Sequence, residues 1–167
     1  MDKSIIAGLV IIAVVIFTAS TLLNQLSDTS QETEVALQNF GPAPEVVGIA
    51  DWINSDPLEI KNLAGKVVLV DFWTYSCINC IRTLPYMNSW NEKYSDKGLV
   101  IIGVHTPEFP FEKDYNNVKA AVERHGIKYA VAQDNDYKTW RAYKNNAWPR
   151  KYIIDKEGII RYSHIGE

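Results

Sequence analysis

The only two cysteines among 167 residues are Cys77 and Cys80, separated by Ile78-Asn79. Two thiols three positions apart can face each other across the first turn of a helix and close a small disulfide ring. A cysteine at a helix start meets unpaired backbone N–H groups and the positive end of the helix dipole, which favour negative charge on sulfur. The thiolate is the species that attacks disulfides, so the spacing and position point to thiol–disulfide exchange. Two merely structural cysteines, or half of a zinc site, are the plain alternatives. Zinc wants about four ligands, and the three histidines, His105, His125 and His164, are scattered without helical pairing. No metal site is therefore expected, and no other cofactor is called for.

The elements that must hold this pair are readable around it. Lys66 to Phe72 is a continuous apolar run, as expected of a central strand covered on both faces, with Asp71 buried inside it. Ile78, Ile81, Leu84, Met87, Trp90 and Tyr94 recur at helical spacing, which predicts a long helix kinked at Pro85 and ended by Gly98. Leu99 to Val104 predicts a second buried strand. Phe111, Tyr115, Val118, Val122 and His125 predict a second helix stopped by Gly126. His125 then stands at a helix C-terminus, where a cation is stabilised. Lys128 to Ala132 reads as a short strand, Asp134 or Asn135 as the cap of a third helix running to about Lys144, and Lys151–Ile154 with Ile159–Ser163 as a terminal hairpin. Strands alternating with helices and closed by a hairpin give an α/β sandwich with a mixed sheet.

Composition places the rest. The net charge of −3 argues against a nucleic-acid partner, because neutralising phosphates takes clustered Lys and Arg. Ile5 to Leu23 is an uncharged run of nineteen residues, just long enough to span a bilayer core as a helix. Lys3 precedes it and no Lys or Arg follows until Lys61, so the positive-inside rule leaves the N-terminus in the cytoplasm and puts the body outside. The expectation is a single-pass membrane anchor over residues 1–23, a polar linker over 24–42, and a folded domain over 43–167 on the extracytoplasmic side. A cleaved signal peptide, with Thr18-Ala19-Ser20 near the cut, is the competing reading. Either way the cysteines sit where disulfides form and persist.

Val70-Asp71-Phe72-Trp73, Cys77-x-x-Cys80, Pro85 five positions later and Trp148-Pro149 before the last hairpin together resemble the thioredoxin superfamily. Phe72 to Cys80, with Gly103-Val104-His105-Thr106-Pro107-Glu108-Phe109, is more specifically similar to the DipZ-type branch of the TlpA-like proteins. The resemblance implies a thioredoxin fold, a mixed central sheet flanked by helices, preceded here by one transmembrane helix. It implies dithiol–disulfide exchange with protein thiols and disulfides, fed by a membrane electron-transfer partner of the CcdA/DsbD type. Carried over by position, Cys77 is the attacking cysteine and Cys80 the resolving one. Asp71 is the buried acid beside Cys80, and Pro149 is the cis-proline facing the pair. Glu108 matches an acidic residue near the site. Trp148, Trp73 and Ser76 are expected at the partner-binding rim. Ser76 stands where thioredoxins usually carry Trp, Ile-Asn separates the cysteines, and Trp148 is bulky; these positions bear on reduction potential and partner choice.

Two other functions compete. Thr74-x-x-Cys77 resembles the Thr-x-x-Cys of thiol peroxidases, although Val70 stands where their proline would be. A binding module without catalysis would keep its role after loss of both cysteines.

Overall fold

The structure is a computed structural model, and its described residues are 37–167. The expected anchor and residues 24–36 of the expected linker lie outside the described residues. Among the described residues no helix is long and apolar enough to cross a membrane.

Six strands form one mixed sheet in the order β1-β4-β3-β2-β5-β6. They are β1 (Trp52–Ile53), β2 (Val67–Trp73), β3 (Leu99–His105), β4 (Ala130–Gln133), β5 (Arg150–Ile154) and β6 (Ile160–Ile165). The helices are α1 (Ile78–Tyr94), α2 (Tyr115–Arg124) and α3 (Lys138–Ala142). β2, β3 and β4 run parallel, and β1, β5 and β6 are antiparallel to their neighbours. Phe40 N–H already donates to Ile160 O, and Pro42 bridges to Ile159, so the chain joins the sheet edge just before residue 43.

The period-2 alternation of β2 sorts the core into two layers. Leu69 and Trp73 pack on one face with Cys80, Leu84 and Met87 of α1. Val68, Val70 and Phe72 pack on the other with Tyr143 and Tyr152. Asp71, two residues from both Leu69 and Trp73, therefore faces the α1 layer that holds Cys80. Each fully buried side chain of this size contributes roughly 1.5–3 kcal/mol. Gly103 pairs with Asp71 across the parallel β2–β3 ladder, and a Cβ there would stand 3.1 Å from both Trp73 Nε1 and Tyr129 Cε2. The absent side chain is what leaves room for the Trp73 ring.

α1 starts and stops where the apolar period does, and it runs unbroken through Pro85. Gly98 then takes a left-handed conformation, φ 96°, before β3. Three expectations shift. The second helix begins at Tyr115 rather than near Phe111, because Asp114 is extended and its Oδ1 accepts the N–H groups of Asn116 and Asn117 at 2.9 and 3.1 Å. Phe111 belongs instead to a separate 3-10 turn, Pro110–Lys113. The third helix is only Lys138–Ala142, since Asp134 reaches forward to the N–H groups of Lys138, Thr139 and Trp140 while Asn135 to Tyr137 form a turn. His125 closes α2, yet partial burial and neighbouring Arg124 lower its pKa, so the helix end does not make it a favoured cation.

Candidate active site

Cys77 is the N-cap of α1. Its backbone is extended, its N–H donates to Thr74 O, and its Sγ accepts the N–H of Cys80 at 3.3 Å. That N–H is one of the donors a helix start leaves free, so the sulfur takes the place a capping oxygen would fill. Cys77 is half-buried and Cys80 is fully buried; both are free thiols. Burial pushes the Cys80 thiol well above its ordinary range. The hydrogen bond with Cys77 and the nearby Asp71 carboxyl act the same way. The pair is therefore asymmetric: one sulfur is accessible at a helix terminus, and the other is shielded and held protonated.

Beneath it lies a buried ion pair. Asp71 is wholly inaccessible, and Lys151 Nζ from the neighbouring strand stands 3.2 Å from its Oδ1. The contact is ionic without a well-directed hydrogen bond, which leaves both carboxylate oxygens unsaturated. Burial raises the Asp71 pKa to about 6, partly offset by the charge of Lys151. Lys151 Nζ also donates to Thr83 Oγ1, which in turn donates to Cys80 O. A cleft of about 690 Å³ lined by Arg82, Thr83, Tyr86 and Trp90 opens onto Lys151, so the pair lies one side chain from solvent.

The Trp148–Pro149 peptide bond is cis. Trp148 is half-buried, packs on the core cluster that contains Cys80 beside Cys77, and donates from Nε1 to Thr106 O at 3.1 Å. Its ring lies 4.2 Å from that of Trp140. Ser76 is exposed, one residue before the nucleophile. One rim expectation needs revision. Trp73 is fully buried, because its place on β2 points it inward between the sheet and α1; no partner can reach it. Glu108 is exposed, and the carboxylate bound at the nucleophile loop belongs to Glu112.

Glu112 and Lys151 escaped the sequence reading. A signal existed for each: Glu112 sits three residues after an extended Phe109 whose N–H it accepts, a capping pattern. Lys151 is the second residue of β5, two places after Pro149 and directly opposite Asp71. His105 is buried with Tyr75 stacked on it at 5.6 Å, and burial lowers its pKa to about 4, so it is neutral at pH 7. It bonds Thr74 Oγ1 through Nε2 at 3.3 Å.

Sheet order, the dithiol at the start of α1 and the cis-proline just before β5 define a thioredoxin-like protein. The chain belongs to the AhpC/TSA family, whose profile matches residues 42–163. It is 47% identical over 146 residues to Protein DipZ of Mycobacterium bovis, covering 86% of this chain but about a fifth (21%) of that protein's length. It is 30% identical over 125 residues to thiol-disulfide oxidoreductase YkuV of Bacillus subtilis, covering 75% of this chain and 84% of that one. Among solved structures, a thioredoxin-like protein in its oxidised form superposes with a TM-score of 0.71 at 30% identity, over 80% of this chain and 88% of that one.

Proposed function

We propose that the chain is a membrane-tethered thiol–disulfide oxidoreductase that exchanges electrons with protein partners outside the cytoplasm. The carrying observation is the half-buried Cys77 Sγ at the N-terminus of α1, hydrogen-bonded to the N–H of a fully buried Cys80. The chemistry follows in two displacements. The Cys77 thiolate attacks one sulfur of a partner disulfide, forming a mixed disulfide and releasing the other partner sulfur as thiolate. Cys80 then loses its proton and attacks Cys77 Sγ, closing the Cys77–Cys80 disulfide and releasing the second partner sulfur. Two electrons pass to the partner, and the reverse sequence returns them. Cys80 is held protonated by burial, so the second displacement needs a base. Asp71 in the same layer, with its pKa near 6, accepts that proton at neutral pH.

Membrane tethering rests on the uncharged Ile5–Leu23 run and the charge asymmetry around it. A membrane protein of the CcdA/DsbD type as electron source rests on the resemblance to the DipZ-type branch. A peroxidase is less well supported, because the Thr74 hydroxyl is buried and bonded to His105 rather than lying open beside Cys77.

The purified full chain should accelerate reduction of insulin disulfides by dithiothreitol at least about tenfold. It should consume hydrogen peroxide no faster than free cysteine does. No acceleration with insulin, together with fast peroxide consumption, would favour the peroxidase. In intact cells, protease added from outside should degrade the domain while the chain stays with the membrane fraction; a protected domain would contradict the orientation.

A further inference from the structure

Glu112 is wholly inaccessible, yet no ion pair among the described residues involves it. Its carboxylate is held by hydrogen-bond donors alone. Oε1 accepts from Ser76 Oγ at 2.6 Å and more loosely from Ser76 N–H at 3.4 Å. Oε2 accepts the N–H groups of Glu108 and Phe109 at 2.6 and 2.9 Å. Burial alone would push this carboxyl up, but the donors outweigh it and hold the pKa below the ordinary value, so the group is an anion at neutral pH. One side chain thus ties the loop carrying the nucleophile to the loop after β3. It places an uncompensated negative charge one residue from Cys77.

We propose that Glu112 is a positioning residue whose fixed charge, held against Ser76, biases the Cys77–Cys80 pair toward the disulfide and makes it a stronger reductant. This rests on the oxidoreductase reading. In the dithiol form, Cys77 Sγ at the helix start, one residue from the Ser76 that Glu112 holds, is the sulfur that must carry negative charge to react. In the disulfide form that charge is gone. A buried anion near the sulfur therefore costs the reduced form more than the oxidised one, and pairs whose reduced form is stabilised are the stronger oxidants. Ser76 Oγ–H, with the Glu108 N–H one of the two closest donors at 2.6 Å, spreads the carboxylate's charge, so it moderates the bias.

The test is the equilibrium of the full chain with glutathione. Two glutathione thiols give two electrons and two protons to the Cys77–Cys80 disulfide, yielding two protein thiols and one glutathione disulfide. Glu112→Gln removes the charge and should shift this equilibrium about tenfold toward the dithiol. Ser76→Ala leaves the anion with one donor fewer and should shift it the opposite way, toward the disulfide. The opposite signs are what a purely structural brace does not produce, since loosening the loop by either substitution would act in one direction. An unchanged constant in Glu112→Gln, or shifts of the same sign in both variants, overturns the proposal. Should Glu112→Gln fail to fold, the exposed Ser76→Ala carries the test, and no shift or a shift toward the dithiol overturns it. If the parent chain never forms the Cys77–Cys80 disulfide across the glutathione range, the oxidoreductase reading falls first and this proposal falls with it.

Discussion

Cys80→Ser should accumulate a mixed disulfide between Cys77 and a partner protein, whereas Cys77→Ser should lose disulfide exchange by about a thousandfold or more. The asymmetry of the pair dictates both outcomes. Cys77 is half-buried at the start of α1, where a partner disulfide can reach its sulfur. Cys80 is fully buried, and its thiol is pushed up by that burial, so it cannot replace Cys77 as first attacker. Once Cys80 is Ser, the first displacement proceeds and the second cannot. The adduct is then visible on non-reducing gels, and its mass locates the bond on Cys77. Adducts trapped through Cys80 in Cys77→Ser would reverse the assignment of roles.

Asp71→Asn should separate the two displacements and remove a pH dependence of stability. Resolution by Cys80 should slow by about a hundredfold, the scale of general-base assistance, while the first attack by Cys77 stays nearly unchanged. Single-turnover measurements of mixed-disulfide formation and decay distinguish the steps; equal slowing of both would mean a structural effect. The stability consequence has a definite sign. The folded protein holds the Asp71 proton more tightly than the unfolded chain does, with a pKa raised from 3.8 to about 6. Between those values the folded state binds more protons, so stability falls as pH rises. The contribution is fully present below 3.8 and is lost as pH climbs through 6. The rise corresponds to roughly 3 kcal/mol. Removing Asp71 also leaves Lys151 without its partner, a cost that a single pH would confuse with the gain from losing a buried carboxyl. The difference in unfolding free energy between parent and variant, followed from pH 3.5 to pH 7.5, isolates the proton-linked part. A flat difference would contradict a raised Asp71.

What the sequence disclosed was governed by local rules. A continuous apolar run located β2, a 3.6-residue period located α1, and the thiol spacing at their junction located the reacting pair. The X-Pro of the terminal hairpin was legible for a similar reason, since it stands immediately before a strand. Contacts between distant segments were harder to read. Glu112 meets Ser76 only because the 3-10 turn after β3 folds back over the start of α1, which no periodicity encodes. Lys151 meets Asp71 through an antiparallel register that only the assembled sheet fixes. Trp73 was expected at the rim because it lies close to Cys77 in sequence, but strand alternation turned it into the core. α3 came out short because Asp134 caps it from several residues away, leaving the intervening residues to form a turn.

In the proposed exchange, Cys77 and Cys80 act together as one two-electron couple. The direct measurement is to mix the reduced chain with one equivalent of a protein disulfide, quench with acid, alkylate with a mass tag, and count tags on each cysteine. Both tags should disappear together, with a loss of two hydrogen masses from the protein and an equal gain of thiols on the substrate. Loss of the Cys77 tag alone, with Cys80 still alkylated and no transient mixed disulfide, would contradict it.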